Sequence, residues 1–527
     1  VNYSKFIILI LTLTLFPQCR KDKPLYIFLI TLDTTRADAI NYDPGNNRTP
    51  NLASLSSEGT TFRNAYTNIP ITLPSHASMF YSLYPHDLKI YNNGQTNKTK
   101  YPSLVQLLKS RGFRTGAAIS LGVLNTDFGL SRGFDSYIEN FSQYSWTKSA
   151  EQVNRDLFPV ISSIKEKRAF IWAHYSDPHE PYYPPYYDGI FEIFSGNQKV
   201  FTINNSLYFN FKKKILLKPG KNRIVFKSTI PSQVRNNPDC SISGIFYQGL
   251  ELSPSYPDMT EIIYPEDFRK VGKKKDDYFS DQLESVFIVN NKKQEESEVD
   301  LRFTSKLRET EQSRKVLYLE SISYMDKHIG ELIRFLKKKG IYNNSIILIA
   351  GDHGEGLGEY QNHFGHIHYL NKVYTHVPFI ITGRGISKGE IRNDLASNLD
   401  IAPTILDIAG IKVPEFMKGS KLLSERSKNK LILETFSPEA YFDAFSIIEF
   451  PDQIIFYPGK PDKKIEYIHL GSDRYGTNVD QNRTSADDKA KLLRSILGIS
   501  RSITATKGKV GNKKRIHEDI LKSLGYL

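Results

Sequence analysis

Cysteine, tryptophan and methionine are scarce in this chain, with 2, 2 and 4 residues among 527. Two cysteines, Cys19 and Cys240, exclude a disulfide-stapled scaffold and a cysteine-rich metal module. Long apolar runs are missing as well. The longest, from Phe6 to Phe16, spans about eleven residues, where a helix that crosses a bilayer needs roughly 20. Acidic residues are outnumbered, 57 against 70 basic ones, for a formal net charge of +13. The basic residues are scattered and no RNA- or DNA-binding motif is visible, so an anionic substrate or an anionic envelope surface suits this charge better than nucleic acid. Disorder is excluded by 39% hydrophobic and 12% aromatic residues, which suffice for a large core.

What is present begins with "VNYSKFIILILTLTLFPQC", a lysine, the short apolar run and then Cys19. That is the layout of an export signal over residues 1–19. The cysteine stands where a bacterial lipobox has it, with Phe-Pro-Gln replacing the usual small residues. The expectation is a protein of the cell envelope, periplasmic or on the outer surface. It would be lipid-anchored at Cys19, touch the membrane through that anchor alone, and have a soluble body.

Short apolar runs bounded by turn residues then alternate with helical patterns. "PLYIFLITLD", "RTGAAIS", "RAFIWAHYSD", "SIILIAGDHG" and "VPFIITG" predict buried strands of a mainly parallel sheet. "PNLASLSSEG", "YPSLVQLLKSRG" and the long "SRKVLYLESISYMDKHIGELIRFLKKKG" predict helices, the last closing at Gly340. A helix is also expected from about Pro74 to Tyr81. This order predicts an α/β fold with a helix-covered, mainly parallel sheet over 24–190 and 300–430. Residues 191–299 break the pattern and predict a β-rich insertion. Its "GKKKDD" and "NKKQEESEVD" segments are expected to form a flexible return to the core. Residues 431–527 predict a smaller C-terminal α+β part.

Open parallel sheets bind ligands beyond the carboxyl ends of their strands. Here those ends deliver Asp33, then His174, Asp177 and His179, then Asp352 and His353. Asp33, Asp352 and His353 can hold a divalent cation. Thr72, at the start of the "ITLPSHASM" helix, is the candidate nucleophile, because a cation stabilises its alkoxide and a helix start favours an anion. Taken singly, Asp33 fits a turn, Thr72 with Ser75 fits a helix cap, and the glycines of "GDHGEGLGE" fit a tight loop. Together they converge on one sheet edge.

In order along the chain, "LITLDTTRAD", "TPNLASLSSEGTTFRNAYTNIPITLPSHASMFYSLYPH", "HYSDPHEPYYPP", "SIILIAGDHGEGLGE" and "SNLDIAPTILDIAGIKVP" resemble the sulfatase family of the alkaline phosphatase superfamily. The resemblance implies an alkaline-phosphatase-like fold and one or two divalent metal ions, calcium by family habit, with zinc or manganese as alternatives. It implies Asp33, Asp352, His353 and Thr72 as metal ligands and Thr72 as nucleophile. It also implies His179 and His366 at the anionic group or leaving oxygen, and Asn93 at the substrate. His76 is assigned to anion binding beside Thr72. His363, His368 and His376 match no family position and are expected to be structural.

Three departures from the family pattern stand out. The family carries Cys or Ser, oxidised to formylglycine, where this chain has Thr72, so no formylglycine is expected. His76 replaces an arginine, and Thr34 replaces a second aspartate. A formylglycine hydrate expels sulfate by elimination through its second hydroxyl, which threonine lacks, so phosphate esters become as plausible as sulfate esters. The leading expectation is an exported, metal-dependent hydrolase of sulfate or phosphate esters, with a glycan or glycolipid as a candidate carrier of the ester. The alternatives are a phosphodiesterase or phospho-headgroup transferase acting on envelope glycans, and a non-catalytic glycan-binding surface lipoprotein.

Overall fold

The computed structural model describes residues 24–43, 45, 47–141, 146–180, 182, 191–203, 208–228, 242–254, 260–263, 269–270, 278–280, 284–309, 311–425, 429–436, 443–457 and 465–480. The expected export signal, Cys19, Cys240, the "GKKKDD" segment and residues 481–527 of the expected C-terminal part lie outside the described residues. No described helix is long and apolar enough to cross a membrane.

An eight-stranded sheet forms the centre. Its strands are β1 (Leu25–Leu32), β2 (Gly59–Tyr66), β3 (Arg114–Ala118), β4 (Ser136–Ile138), β5 (Arg168–Tyr175), β16 (Ser345–Gly351), β19 (Phe379–Gly383) and β20 (Glu390–Ser397). Across the sheet the order is β20-β2-β19-β16-β1-β5-β3-β4. β19 pairs antiparallel with both β16 and β2, and every other pairing is parallel, so seven strands run one way. The mainly parallel expectation holds, and the "VPFIITG" run is the exception. A buried apolar run fits either direction, because both faces of the strand are covered.

Apolar clusters fill both faces. On one face Phe28, Ile30 and Leu32 of β1 meet Leu317, Ile322, Met325 and Leu336 of the helix Glu311–Lys338. On the other, Ile27 and Leu29 meet Leu73, Ala77, Met79 and Phe80 of the helix Thr72–Tyr81. That alternation along one strand is the pleat of a sheet buried on both sides.

The insertion comprises strands β6 to β15, from Phe191 to Glu309, in two five-stranded sheets. All of their pairings are antiparallel. The "NKKQEESEVD" stretch is not a flexible return: β14 (Glu284–Asn291) and β15 (Ser297–Glu309) flank a tight connection held by the Asn291 amide on Glu295 O at 2.9 Å. The insertion's last strand therefore runs past residue 299. Two short strands, β17 (Gly356–Leu357) and β18 (Phe364–Gly365), follow β16. Strands β21 (Leu431–Thr435), β22 (Ala444–Glu449), β23 (Asp452–Phe456) and β24 (Ile465–His469) form a four-stranded antiparallel sheet.

Candidate active site

The carboxyl ends of β1, β2, β5, β16 and β20 share one edge of the sheet, and the site is built there. Asp33 follows β1, Asp352 and His353 follow β16, and ligand atoms of the three lie within 4.8 Å of one another, all fully buried. The helix carrying Thr72 starts two residues earlier than the sequence predicts. Its N-cap is the extended Ile71, with no side-chain cap, and Pro74 fits the first turn because an N–H there has no intrahelical partner. Thr72 is thus a helical residue rather than a cap. Its Oγ1 lies 3.2 Å from His353 Nε2.

The imidazole hydrogens can be assigned from their partners. His353 donates Nδ1–H to Gly354 O at 3.0 Å, which leaves the Nε2 lone pair facing the Thr72 hydroxyl. Ser120 donates both its N–H, at 3.2 Å, and its hydroxyl, at 2.8 Å, to His174 Nδ1, so His174 donates Nε2–H to Asp33 Oδ2 at 3.2 Å. Asp352 Oδ1 accepts from the Thr34 and His353 N–H groups at 3.1 and 2.7 Å.

Burial acts on every charge here. It pushes the Asp33 carboxyl up, but the His174 hydrogen bond and the surrounding imidazoles override it and hold the group well below the usual carboxylate range. Burial and then the Asp33 charge drive Asp352 far above that range. Burial holds His353 down to about 3. Asp33 Oδ1 and Asp352 Oδ2 are buried with no hydrogen-bond partner. Two carboxylate oxygens left without donors, facing a neutral imidazole nitrogen, are a donor set that fits a divalent cation.

His366 and His179 complete a histidine cluster on this edge. The His366 ring centroid lies 4.4 Å from that of His353 and 5.3 Å from that of His179. His179 Nδ1 lies 2.7 Å from Glu180 O. Asn93 Oδ1 accepts the Leu73 N–H at 2.9 Å, in the first turn of the Thr72 helix, and its Nδ2 is buried without a partner.

His76 departs from its expected role of anion ligand. Trp172 Nε1 donates to Thr31 Oγ1 at 2.8 Å, the Thr31 hydroxyl turns to His76 Nε2 at 3.1 Å, and His76 Nδ1–H donates to Thr72 O at 2.8 Å. Both ring nitrogens are occupied, and burial lowers the group to about 3, so it is a neutral prop beneath Thr72. His363 Nδ1 lies 3.2 Å from Tyr374 Oη, and His376 Nε2 lies 2.7 Å from Arg63 O.

Two contributors, Glu355 and Asn398, carry no sequence signal of their own. Glu355 is fully buried, accepts from Tyr182 Oη at 3.0 Å and meets His366 Nδ1 at 3.0 Å, and burial pushes it up to about 8. Asn398, just after β20, places its amide nitrogen on Thr67, Ser75, Gly351 and Asp352. His174 orients Asp33.

A model of the sulfatase family matches residues 26–411. The N-acetylglucosamine-6-O-sulfatase of Bacteroides thetaiotaomicron is 23% identical over 428 residues, which cover 77% of this chain and 71% of that protein. A solved structure in complex with its substrate D-glucosamine-2-N,6-O-disulfate matches with a TM-score of 0.59 at 16% identity, over 96% of this chain and 98% of its own. The phosphonate monoester hydrolase of Silicibacter pomeroyi matches with a TM-score of 0.56 at 16% identity, over 90% and 94% of the two chains. With the sheet, the Thr72 helix and the acidic edge in place, the chain belongs to the sulfatase family, an ester hydrolase on the fold of the alkaline phosphatase superfamily.

Proposed function

We propose that this hydrolase cleaves an anionic ester carried by a glycan or glycolipid, through a covalent ester on Thr72 beside a divalent cation held by Asp33, Asp352 and His353. One observation carries the reading: the Thr72 hydroxyl lies 3.2 Å from His353 Nε2, within the buried Asp33, Asp352 and His353 cluster. A cation bound there would supply positive charge to the threonine oxygen and to the anionic oxygens of the ester.

The side chains divide the remaining work. Thr72 Oγ1 gives up its proton to water and bonds to sulfur or phosphorus, while the bond from that atom to the leaving oxygen breaks. His179 or His366 passes a proton to the leaving oxygen. Asn93 Nδ2 and the start of the Thr72 helix favour the transferred anion. Water then cleaves the threonyl ester, releasing inorganic anion and restoring the hydroxyl. Two carboxylates suit calcium, the usual family metal, and the imidazole nitrogen suits manganese or zinc.

Relatives named for sulfated amino sugars make a sulfated glycan the first substrate to test. Thr72 itself favours a second reading. It carries one hydroxyl, so a sulfated Thr72 must be opened by attack at sulfur, whereas a phosphothreonine yields to in-line attack at phosphorus. A fold neighbour named for phosphonate monoesters is consistent with that chemistry.

The test is to purify the protein with its metal content measured, and to compare 4-nitrophenyl sulfate, 4-nitrophenyl phosphate and bis(4-nitrophenyl) phosphate for the parent and Thr72→Ala. The expected loss is on the order of 10³-fold or more on whichever ester is cleaved. Unchanged activity in Thr72→Ala, or mass spectrometry showing an oxidised residue 72, refutes the nucleophile. The envelope location belongs to the same proposal, on the sequence before Lys21; Cys19→Ser is expected to release the protein from the membrane fraction.

A further inference from the structure

Two β-branched residues adopt left-handed backbone, Thr34 at φ +51° and Ile367 at φ +84°, and each directly follows a candidate site residue. A branched Cβ is the least suited to that region, and such a conformation persists where its surroundings over-determine it. Around Ile367 those surroundings come from two other parts of the chain. Its N–H donates to Pro70 O at 3.2 Å, and its carbonyl accepts the hydroxyl of Thr435, the last residue of β21. Its side chain is buried with Ile69, Ile71, Tyr91 and Phe436. Pro70 and Ile71 lead directly into Thr72.

We propose that Ile367 and Thr435 are positioning residues: the C-terminal sheet clamps Ile367 in its left-handed turn and so holds the His366 ring against His353, where it serves the leaving oxygen. The inference rests on the role given to His366 above. Its geometric basis is that His366 is bracketed. Glu355 Oε2 meets its Nδ1 at 3.0 Å on one side, and the clamped Ile367 fixes the chain direction on the other. Without the Thr435 hydroxyl the Ile367 carbonyl loses the partner that opposes relaxation to negative φ, and relaxation swings His366 away from the cluster.

Leaving-group dependence distinguishes this from a merely structural contact. A proton donor matters little for a 4-nitrophenyl ester and much for the phenyl ester of the same acid, since phenolate is the poorer leaving group. Thr435→Val is expected to lower kcat on the phenyl ester by about 10-fold or more and on the nitrophenyl ester by less than about 3-fold, with KM little changed. His366→Gln should show the same direction with a larger loss, and Thr435→Ser, which keeps the hydroxyl, should keep the parent profile. A uniform loss in Thr435→Val across both esters, or no loss, overturns the clamp while a leaving-group-dependent His366→Gln still upholds His366. If His366→Gln is itself uniform, the role of His366 falls and the clamp falls with it. A parent inactive on every ester overturns both.

Discussion

Asn398→Ala tests whether the site is held together from behind. The Asn398 amide nitrogen lies 3.1 Å from Thr67 Oγ1, Ser75 Oγ and Asp352 O, and 3.2 Å from Gly351 O. Its two hydrogens are shared among acceptors from the end of β2, the Thr72 helix and the end of β16. The neighbouring hydroxyls cannot take over the donor role freely, because Thr67 already donates to Ile69 O at 3.0 Å and Ser75 to Asp352 O at 2.8 Å. Asn398 is fully buried, so truncation leaves acceptors without a donor and without bulk water. Two lost hydrogen bonds at about 1 kcal/mol each, plus desolvated acceptors at about 1–3 kcal/mol, give an expected destabilisation of about 3–5 kcal/mol. Denaturant unfolding followed through Trp172, buried in the core, reads this as a lower midpoint at constant slope. Activity is expected to fall by about 10²-fold, the scale of a 1 Å misplacement of Thr72 against His353. Asn398→Asp keeps the shape but turns a carboxylate toward carbonyl oxygens, and should be at least as damaging. A destabilisation below about 0.5 kcal/mol with parent activity would refute the reasoning.

Chelation is expected to lower the melting temperature and abolish activity, both restored by added divalent cation, which at 100 times its Kd adds about 2.7 kcal/mol. Chelator-insensitive stability and activity would speak against the cation. Asp177 is half-buried, its Oδ2 is enclosed with no hydrogen-bond partner, and burial raises its carboxyl to about 7 against the opposing Ala150 N–H. A folded-state value above the unfolded one means the folded protein holds the proton more tightly, so stability is full below about pH 4 and is lost as pH rises through about 7. That shift, with the opposing Ala150 N–H already included, is worth up to about 4 kcal/mol, so Asp177→Asn should stabilise by about 2–4 kcal/mol at pH 8 and little at pH 4.5. Equal effects at both pH values would exclude ionisation as the cause. Thr34→Asp adds a buried carboxylate and His76→Arg a buried cation; each alone should cost about 3 kcal/mol or more, and the pair less than their sum by over about 1 kcal/mol. Simple additivity in that double-mutant cycle would show that the two positions do not share one electrostatic balance.

Asp33, Asp352, His353 and Thr72 are legible in the sequence because each sits at the end of an apolar run or the start of a helix, and parallel topology carries all such ends to one edge. The direction of β19 is not legible, since its buried run lacks the alternation that would mark a face. His76 is misplaced by reasoning from its helix alone: four residues from Thr72 it shares the nucleophile's face, but Thr31 and Trp172 turn it inward through bonds to β1 and β5. Asn398 and Glu355 are hidden for the same reason. An asparagine or glutamate acquires its role from partners brought close by folding, and Asn398 reaches Thr67 across 331 positions of sequence.

The two departures beside the candidate metal ligands make sense as a pair. Where the family resemblance places an aspartate this chain has Thr34, and where it places an arginine this chain has His76. The first change removes one negative charge. The second removes one positive charge, because burial holds the imidazole neutral. Both positions act on the same carboxyl: Thr34 N–H donates to Asp352 Oδ1 at 3.1 Å, and His76 Nδ1 lies 3.7 Å from Asp352 Oδ2. Asp33 and Asp352 are left as two carboxylates that match the +2 charge of one divalent cation without a buried guanidinium to complete the balance. The neutral His76 can then spend its Nδ1–H on the Thr72 carbonyl, fixing the turn that presents the hydroxyl. A threonine held in this way has one fixed hydroxyl to offer, which ties the altered charges at 34 and 76 to the chemistry proposed at 72.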